Sequence, residues 1–148
     1  MNKNPHYRPV DILIVEDSPT DLMLAREALE HAKVLNNLHC VEDGEEAMAY
    51  LHGRGKYAGM PRPDLILLDL NLPRKSGQEV LAEIKADNSL KSIPVVVLTT
   101  SKADQDVVQA YAHHVNCYIA KPVDFDKFIE VIQSIEQFWL TVVTLPSA

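Results

Sequence analysis

Five short apolar runs recur along the chain, and each is followed by a longer segment with helical spacing. The runs lie at residues 12–15, 38–41, 65–68, 95–98 and 117–120. The second run is the weakest, while the others are apolar throughout or nearly so. Strands that are apolar on both faces are typical of a parallel sheet with helices packed on each side.

The segments between the runs predict helices. Ser18 occupies an N-cap position, Pro19 suits the first helical residue, and Asp21 has the spacing of a capping box. We expect helices at about residues 18–29, 45–52, 77–84, 103–113 and 126–140, and a Gly- and Pro-rich loop at 53–64. The alternation predicts an α/β fold with a doubly wound, five-stranded parallel sheet. We expect one domain over residues 1–148, with a short apolar extension from about residue 139.

Charge and hydropathy exclude some classes of function. The chain has 14 basic and 21 acidic residues, a net charge of −7, and no Lys/Arg cluster that could follow a phosphate backbone. No apolar run approaches the roughly 20 residues of a membrane span. The N-terminal MNKNPHYRP lacks the apolar core of a signal peptide. We therefore expect a cytoplasmic protein that binds neither nucleic acid nor membrane.

The two cysteines, Cys40 and Cys117, lie in strand-like runs and do not form a disulfide or metal-binding pattern. We expect both to be buried, inert thiols.

Polar residues follow four of the predicted strands. Glu16 and Asp17 come after the first, Asp69 after the third, Thr99 after the fourth and Lys121 after the fifth. Taken singly, each could be an ordinary cap, turn or edge residue. The carboxyl ends of parallel strands meet at one rim, which is where such sheets bind ligands. The sequence therefore predicts that these side chains converge.

Phosphoryl chemistry suits this set of groups. Three carboxylates at one rim repel each other, which favours recruitment of a cation, and a hard, oxygen-rich, partly open site suits Mg²⁺. Lys121 and Thr99 could then hold the oxygens of a transferring phosphoryl group. One carboxylate would be the nucleophile, which gives an aspartyl phosphate.

These motifs resemble the receiver domains of two-component response regulators over nearly the whole chain. The matching features are Glu16-Asp17, Asp69 in LILLDLNLP, Gly77, Thr99 in PVVVLTTS, and Lys121-Pro122 in YIAKP. The resemblance implies a flavodoxin-like strand order 2-1-3-4-5. It also implies a phosphoacceptor signalling protein that promotes its own phosphorylation and dephosphorylation, rather than a classical enzyme.

The resemblance also assigns residue roles. Asp69 is the implied phosphoacceptor, and Mg²⁺, with Mn²⁺ able to substitute, is the implied cofactor. The implied cation ligands are Glu16, Asp17, Asp69 and the backbone carbonyl of Asn71. Thr99 and Lys121 would hold the phosphoryl group, and Tyr118 matches an aromatic residue that turns inward on activation. The alternative for Tyr118 is an ordinary half-buried strand residue. The Lys121–Pro122 peptide matches one that is cis in receivers.

A narrower resemblance concerns the loop at 53–64, the pair Thr99-Thr100 and residues 114–146. They are similar to the stand-alone response regulators that partner bacterial phytochromes. This resemblance implies a phytochrome as the sensor histidine kinase that donates the phosphoryl group. It also implies a homodimer, and the apolar residues Trp139, Leu140 and Val143 are candidates for its contact. The alternative is that this tail folds back over its own domain.

Three other classes of protein share parts of the pattern. An aspartate-nucleophile phosphatase or dehalogenase normally has a second acid two residues after the nucleophile, where this chain has Asn71. A flavin-binding electron carrier would have a Ser/Thr/Gly-rich loop after the first strand, where this chain has EDSPTD. A scaffolding pseudo-receiver should lack Asp69 or Lys121, and both are present.

Overall fold

A parallel sheet organises the part of the chain that the computed structural model describes, namely residues 9–31, 36–70, 72, 74–99, 117–120 and 130. Its strands are β1 (Val10–Val15), β2 (Asn36–Val41), β3 (Leu65–Asp69), β4 (Val95–Thr99) and β5 (Cys117–Ala120). They lie in the order β2-β1-β3-β4-β5, and every neighbouring pair is parallel. The predicted fold class and strand order are confirmed.

Three helices are described, and each lies close to its predicted position. They are α1 (Pro19–His31), α2 (Gly44–Leu51) and α3 (Gly77–Ala86). The predicted helices at 103–113 and 126–140 lie outside the described residues, apart from Glu130, which is helical. Within the described ranges, no helix combines the length and the apolar character needed to cross a membrane.

Side-chain caps fix where these helices begin. The Ser18 hydroxyl accepts a hydrogen bond from the Asp21 N–H at 3.3 Å, as the capping-box spacing predicts. Asp43 caps α2 by accepting from the Glu46 N–H at 2.8 Å. Ser76 forms a complete capping box at the start of α3. A side-chain cap therefore determines the first residue of each of these three helices.

Two apolar clusters cover the two faces of the sheet. Successive strand residues alternate between them, with Leu13 and Val15 in one cluster and Ile12 and Ile14 in the other. The first cluster includes residues of α2 and α3, and the second includes residues of α1. This two-sided burial explains why β1, β3 and β4 read as continuous apolar runs.

The edge strand β2 differs from its prediction. It begins at Asn36 rather than residue 38, since polar side chains are tolerated on a partly covered edge. The prediction that Cys40 is buried is wrong, because its side chain is exposed on this edge, where the Arg26 Nη2 donates to its Sγ at 3.3 Å. Partial burial of the sulfur raises the pKa of the Cys40 thiol, and the Arg26 guanidinium opposes this shift. The Cys117 side chain lies outside the described residues.

Candidate functional site

The acidic pair after β1 is fixed by backbone and side-chain hydrogen bonds. The Glu16 N–H donates to the Val41 carbonyl at 3.1 Å, which ties the end of β1 to the end of β2. The Glu16 Oε1 accepts from the Ser18 N–H at 3.1 Å. Glu16 is only 2% exposed, whereas Asp17 beside it is exposed. The Glu16 carboxylate is thus held inside the rim, whereas the Asp17 carboxylate faces solvent.

Asp69 ends the central strand β3 and is 1% exposed. Its backbone lies beside Leu98 of β4, and the next residue, Leu70, donates its N–H to the Leu98 carbonyl at 3.1 Å. The start of α3 packs directly against this strand end. A Cβ atom on Gly77 would lie 2.2 Å from the Asp69 carbonyl oxygen, so the close approach requires glycine.

The structure brings the three predicted acids together. One carboxylate oxygen from each of Glu16, Asp17 and Asp69 lies within 4.8 Å of the others. Oxygens this close to one another could hold one small divalent cation after rotation of the side chains toward it. Two buried carboxylates beside a third repel each other unless a positive charge intervenes. The donor set therefore fits a hard divalent cation.

The remaining predicted site residues lie partly or wholly outside the described atoms. Thr99 is the last residue of β4 and pairs with Ala120, so its backbone lies at the same rim as Asp69. Tyr118 lies beside Val97 in the register of β4 and β5. The side chains of Thr99 and Tyr118 lie outside the part of the chain that the structure describes. The same holds for the whole of six further residues, namely Asn71, Lys121, Pro122, Trp139, Leu140 and Val143.

A second group of charges at the rim was missed in the sequence. Arg74, in the connection from β3 to α3, places its Nε 3.3 Å from Asp43 Oδ2 and its Nη1 3.8 Å from Glu45 Oε1. Glu42 and Asp43 also form an acidic pair after a strand, and that pattern could have marked the position. Nothing in the sequence indicates that Arg74 adopts a left-handed conformation, with φ of 63°.

A parallel sheet with an acidic cluster at its carboxyl-end rim fits a phosphoacceptor protein, and comparison with known proteins identifies the family. Residues 12–133 match the family model of the response regulator receiver domain. The chain therefore belongs to the response regulator receiver family. It is a phosphoacceptor signalling protein of a two-component phosphorelay, and not a classical enzyme.

Individual relatives are similar over nearly their whole length. The chain is 51% identical over 140 residues to the response regulator Rcp1 of Synechocystis sp., covering 95% of each protein. The crystal structure of the phosphorylated cyanobacterial phytochrome response regulator RcpA matches with a TM-score of 0.78 at 51% identity, covering 95% of this chain and all of that one. The Mn²⁺-bound form of Rcp1 matches with a TM-score of 0.77 at 51% identity, covering 94% and 100% of the two chains.

Proposed function

We propose that this receiver accepts a phosphoryl group on Asp69 in a reaction that requires Mg²⁺, with Mn²⁺ able to substitute. The observation that carries the proposal is the cluster of three carboxylate oxygens within 4.8 Å, with Asp69 at the end of the central strand. We propose that residues 1–148 form one such domain, with an apolar extension from about residue 139. A cytoplasmic location follows from the proposed donor, because an ATP-dependent kinase works there.

The proposed step is nucleophilic substitution at phosphorus. A carboxylate oxygen of Asp69 forms the new P–O bond while the bond to the donor nitrogen of a phosphohistidine breaks, and the imidazole leaves with the electron pair and takes a proton. A bound cation supplies charge neutralisation for the phosphoryl oxygens. Glu16, Asp17 and the Asn71 carbonyl would hold that cation with Asp69.

The other side of the phosphoryl group is assigned to the ends of β4 and β5. We propose that the Thr99 hydroxyl and the Lys121 ammonium hold the remaining oxygens. Movement of Thr99 toward the phosphoryl group would allow Tyr118 to turn inward, and the Lys121–Pro122 peptide would be cis. The register of β4 with β5 supports this assignment, since it pairs Thr99 with the residue just before Lys121.

Replacement of the nucleophile tests the assignment. The wild-type chain should take up one base-labile phosphoryl group per molecule from a small phosphodonor such as acetyl phosphate, only when Mg²⁺ or Mn²⁺ is present. Asp69→Asn should abolish this uptake, because an amide is not a competent nucleophile. Asp87→Asn, at the C-terminal end of α3, is the matched control and should label like wild type, because the amide keeps an oxygen that can accept from the Ser89 N–H. Labelling of Asp69→Asn at the wild-type rate would remove the assignment.

We propose a phytochrome-type sensor histidine kinase as the phosphodonor and a homodimer as the assembly. The identity of 51% to Rcp1 and to the structure described as a cyanobacterial phytochrome response regulator supports the donor. The apolar residues Trp139, Leu140 and Val143 support the dimer. Timed transfer from a panel of autophosphorylated histidine kinases tests the donor, and the phytochrome should transfer fastest. Equal rates from every kinase would contradict this choice.

A further inference from the structure

One side chain anchors the connection between α2 and β3. Of residues 52–62, only Tyr57 is not exposed to solvent. Its ring packs against the apolar cluster on the face of the sheet that α2 and α3 cover. The ring also lies 5.5 Å from the Tyr50 ring of α2, measured between centroids. This packing alone would hold the connection in place, so any role beyond anchoring must come from the Tyr57 hydroxyl.

The local backbone presents Tyr57 to α2. Tyr57 ends a 3₁₀ turn that begins at Gly55, and its N–H donates to the Arg54 carbonyl at 3.0 Å. Its carbonyl accepts from the Met60 N–H at 3.1 Å. Gly55 and Gly59 have left-handed φ values of 55° and 84°, which glycine adopts without steric cost. The position of the Tyr57 side chain is therefore fixed by the backbone on both sides of it.

The Tyr57 hydroxyl donates a hydrogen bond to Glu46 Oε1, in the first turn of α2. Burial and this hydrogen bond raise the pKa of Tyr57 to about 12, so the phenol keeps the proton that it donates. The Lys56 Nζ also lies 3.7 Å from Glu46 Oε1, but the Lys56 side chain is 75% exposed. Exposed ion pairs contribute little to stability. The Tyr57 hydroxyl is therefore the stronger of the two contacts with this turn.

The same turn of α2 also binds the connection from β3 to α3. Asp43, the N-cap residue, accepts from the Glu46 N–H with its Oδ1 at 2.8 Å. The other oxygen of this carboxylate, Oδ2, lies 3.3 Å from Arg74 Nε. One turn of helix is thus held from two sides, by Tyr57 through the Glu46 side chain and by Arg74 through Asp43.

The first turn of α2 lies against the backbone that leads away from Asp69. Since α2 has only eight residues, its orientation depends on contacts rather than on helix propensity. Its first residue, Gly44, approaches the Lys75 backbone so closely that a Cβ would collide with it. Lys75 belongs to the connection that follows Asp69 and contains Asn71, whose carbonyl is a proposed cation ligand. A shift of the first turn of α2 would therefore displace backbone beside the cation site.

We propose that Tyr57 is a positioning residue for the cation site, because its hydroxyl holds Glu46 and thereby the first turn of α2, to which Arg74 is bound. This role rests on the proposed function, since the affinity that Tyr57 adjusts is that of the cation beside Asp69. Tyr57 touches neither the cation nor the phosphoryl group. It therefore affects the Mg²⁺ concentration at which the site fills, and not the reaction rate of the filled site.

The test removes a single hydroxyl. Tyr57→Phe keeps the ring packing and the net charge of the chain. Its dissociation constant for Mg²⁺, measured by titration calorimetry, should rise about twofold, since part of one hydrogen bond is transmitted to the site. The Mg²⁺ concentration for half-maximal labelling by acetyl phosphate should rise by the same factor. The labelling rate at saturating Mg²⁺ should equal that of wild type.

Three further variants serve as controls. Glu46→Ala removes the acceptor and should weaken Mg²⁺ binding as Tyr57→Phe does. Glu46→Gln keeps an oxygen that can accept from Tyr57 and should bind Mg²⁺ like wild type, although it lacks the negative charge. Tyr50→Phe is the matched control, because it removes the hydroxyl that donates to the Pro61 carbonyl at 3.0 Å, at the other end of α2. Its Mg²⁺ affinity should be unchanged.

Several results would overturn the role of Tyr57. These are an unchanged Mg²⁺ affinity in Tyr57→Phe, an equal loss in Tyr50→Phe, and an equal loss in Glu46→Gln, which would make charge the cause. The effect of Tyr57→Phe should also be smaller in an Arg74→Ala background, and an effect of full size there would contradict the route through Arg74. A wild-type chain that binds no Mg²⁺ would overturn the proposed cation site itself, and the role of Tyr57 with it.

Discussion

At the residue scale, the site depends on positions where the backbone leaves no room for a side chain. Gly77 donates its N–H to the Leu70 carbonyl at 3.1 Å, and a Cβ there would lie 2.4 Å from the Leu70 Cα. The obstructing atoms belong to the backbone next to Asp69 and cannot rotate away. Gly77 thus determines how closely α3 approaches the strand end that carries the nucleophile.

Gly77→Ala should therefore damage both stability and phosphorylation. Overpacking against backbone should lower the free energy of unfolding by about 2–3 kcal/mol, measured by urea denaturation. The rate of labelling by acetyl phosphate should also fall, because the Asp69 backbone must shift. Gly59→Ala is the matched control, since its cost arises from φ alone, about 1 kcal/mol, and labelling should be normal. Wild-type labelling by Gly77→Ala would contradict the role assigned to Gly77.

At the scale of elements, the connection from β3 to α3 is locked onto the start of α2. A Cβ on Gly44 would lie 2.0 Å from the Lys75 carbonyl oxygen, so the two backbones are in direct contact. Arg74 reaches from this connection to Asp43, which is also the N-cap of α2. Asn71, whose carbonyl is a proposed cation ligand, belongs to the same connection. The Arg74 ion pairs should therefore pre-order part of the cation site.

Two substitutions of Arg74 separate the ion pairs from the backbone conformation. Arg74→Ala removes the pairs and keeps the left-handed φ, which costs a non-glycine residue about 1 kcal/mol, whereas Arg74→Gly removes both. Both should weaken Mg²⁺ binding about twofold to fivefold by titration calorimetry, because exposed ion pairs contribute about 1 kcal/mol or less. Only Arg74→Ala should be less stable in urea. Unchanged Mg²⁺ affinity in both variants would show that the Arg74 ion pairs do not order the cation site.

Sequence patterns predicted the elements better than the contacts between them. The apolar runs of β1, β3 and β4 could be recognised in the sequence because both faces of the sheet are covered. The cluster of acids at the rim could be predicted because the carboxyl ends of parallel strands meet at one edge of the sheet. The exposure of Cys40 depends on its place at the edge of the sheet, and the conformation of Arg74 depends on the neighbouring backbone. Neither can be predicted from the spacing of apolar residues along the chain. The 3₁₀ turn at Gly55–Tyr57 is too short to show a helical repeat.

At the scale of the whole molecule, the acidic side chains of the site lie together at one edge of the sheet. The carboxyl-end rim holds Glu16, Asp17 and Asp69. The sheet below this rim is buried and close-packed on both faces, so the rim is the part of the described sheet that meets a phosphodonor. Any self-association that preserves signalling must therefore leave the rim accessible.

The proposed homodimer can be tested through its candidate contact residues. Trp139, Leu140 and Val143 lie within ten residues of the C-terminal Ala148, in a stretch with no charged side chain. Light scattering should show a dimer for the full chain. Leu140→Glu/Val143→Glu should be largely monomeric, because two charges in an apolar contact are costly to desolvate. A chain that ends at Glu136 should behave like this variant.

Phosphorylation supplies the second half of the test. Acetyl phosphate should label the monomeric Leu140→Glu/Val143→Glu variant, since the proposed nucleophile and cation ligands all come from one chain. This labelling also shows that the variant is folded, and an unfolded variant would fail it. A full-length chain that stays monomeric at high micromolar concentration, phosphorylated or not, would contradict the dimer. Retention of the dimer by the double-glutamate variant would place the contact elsewhere on the molecule.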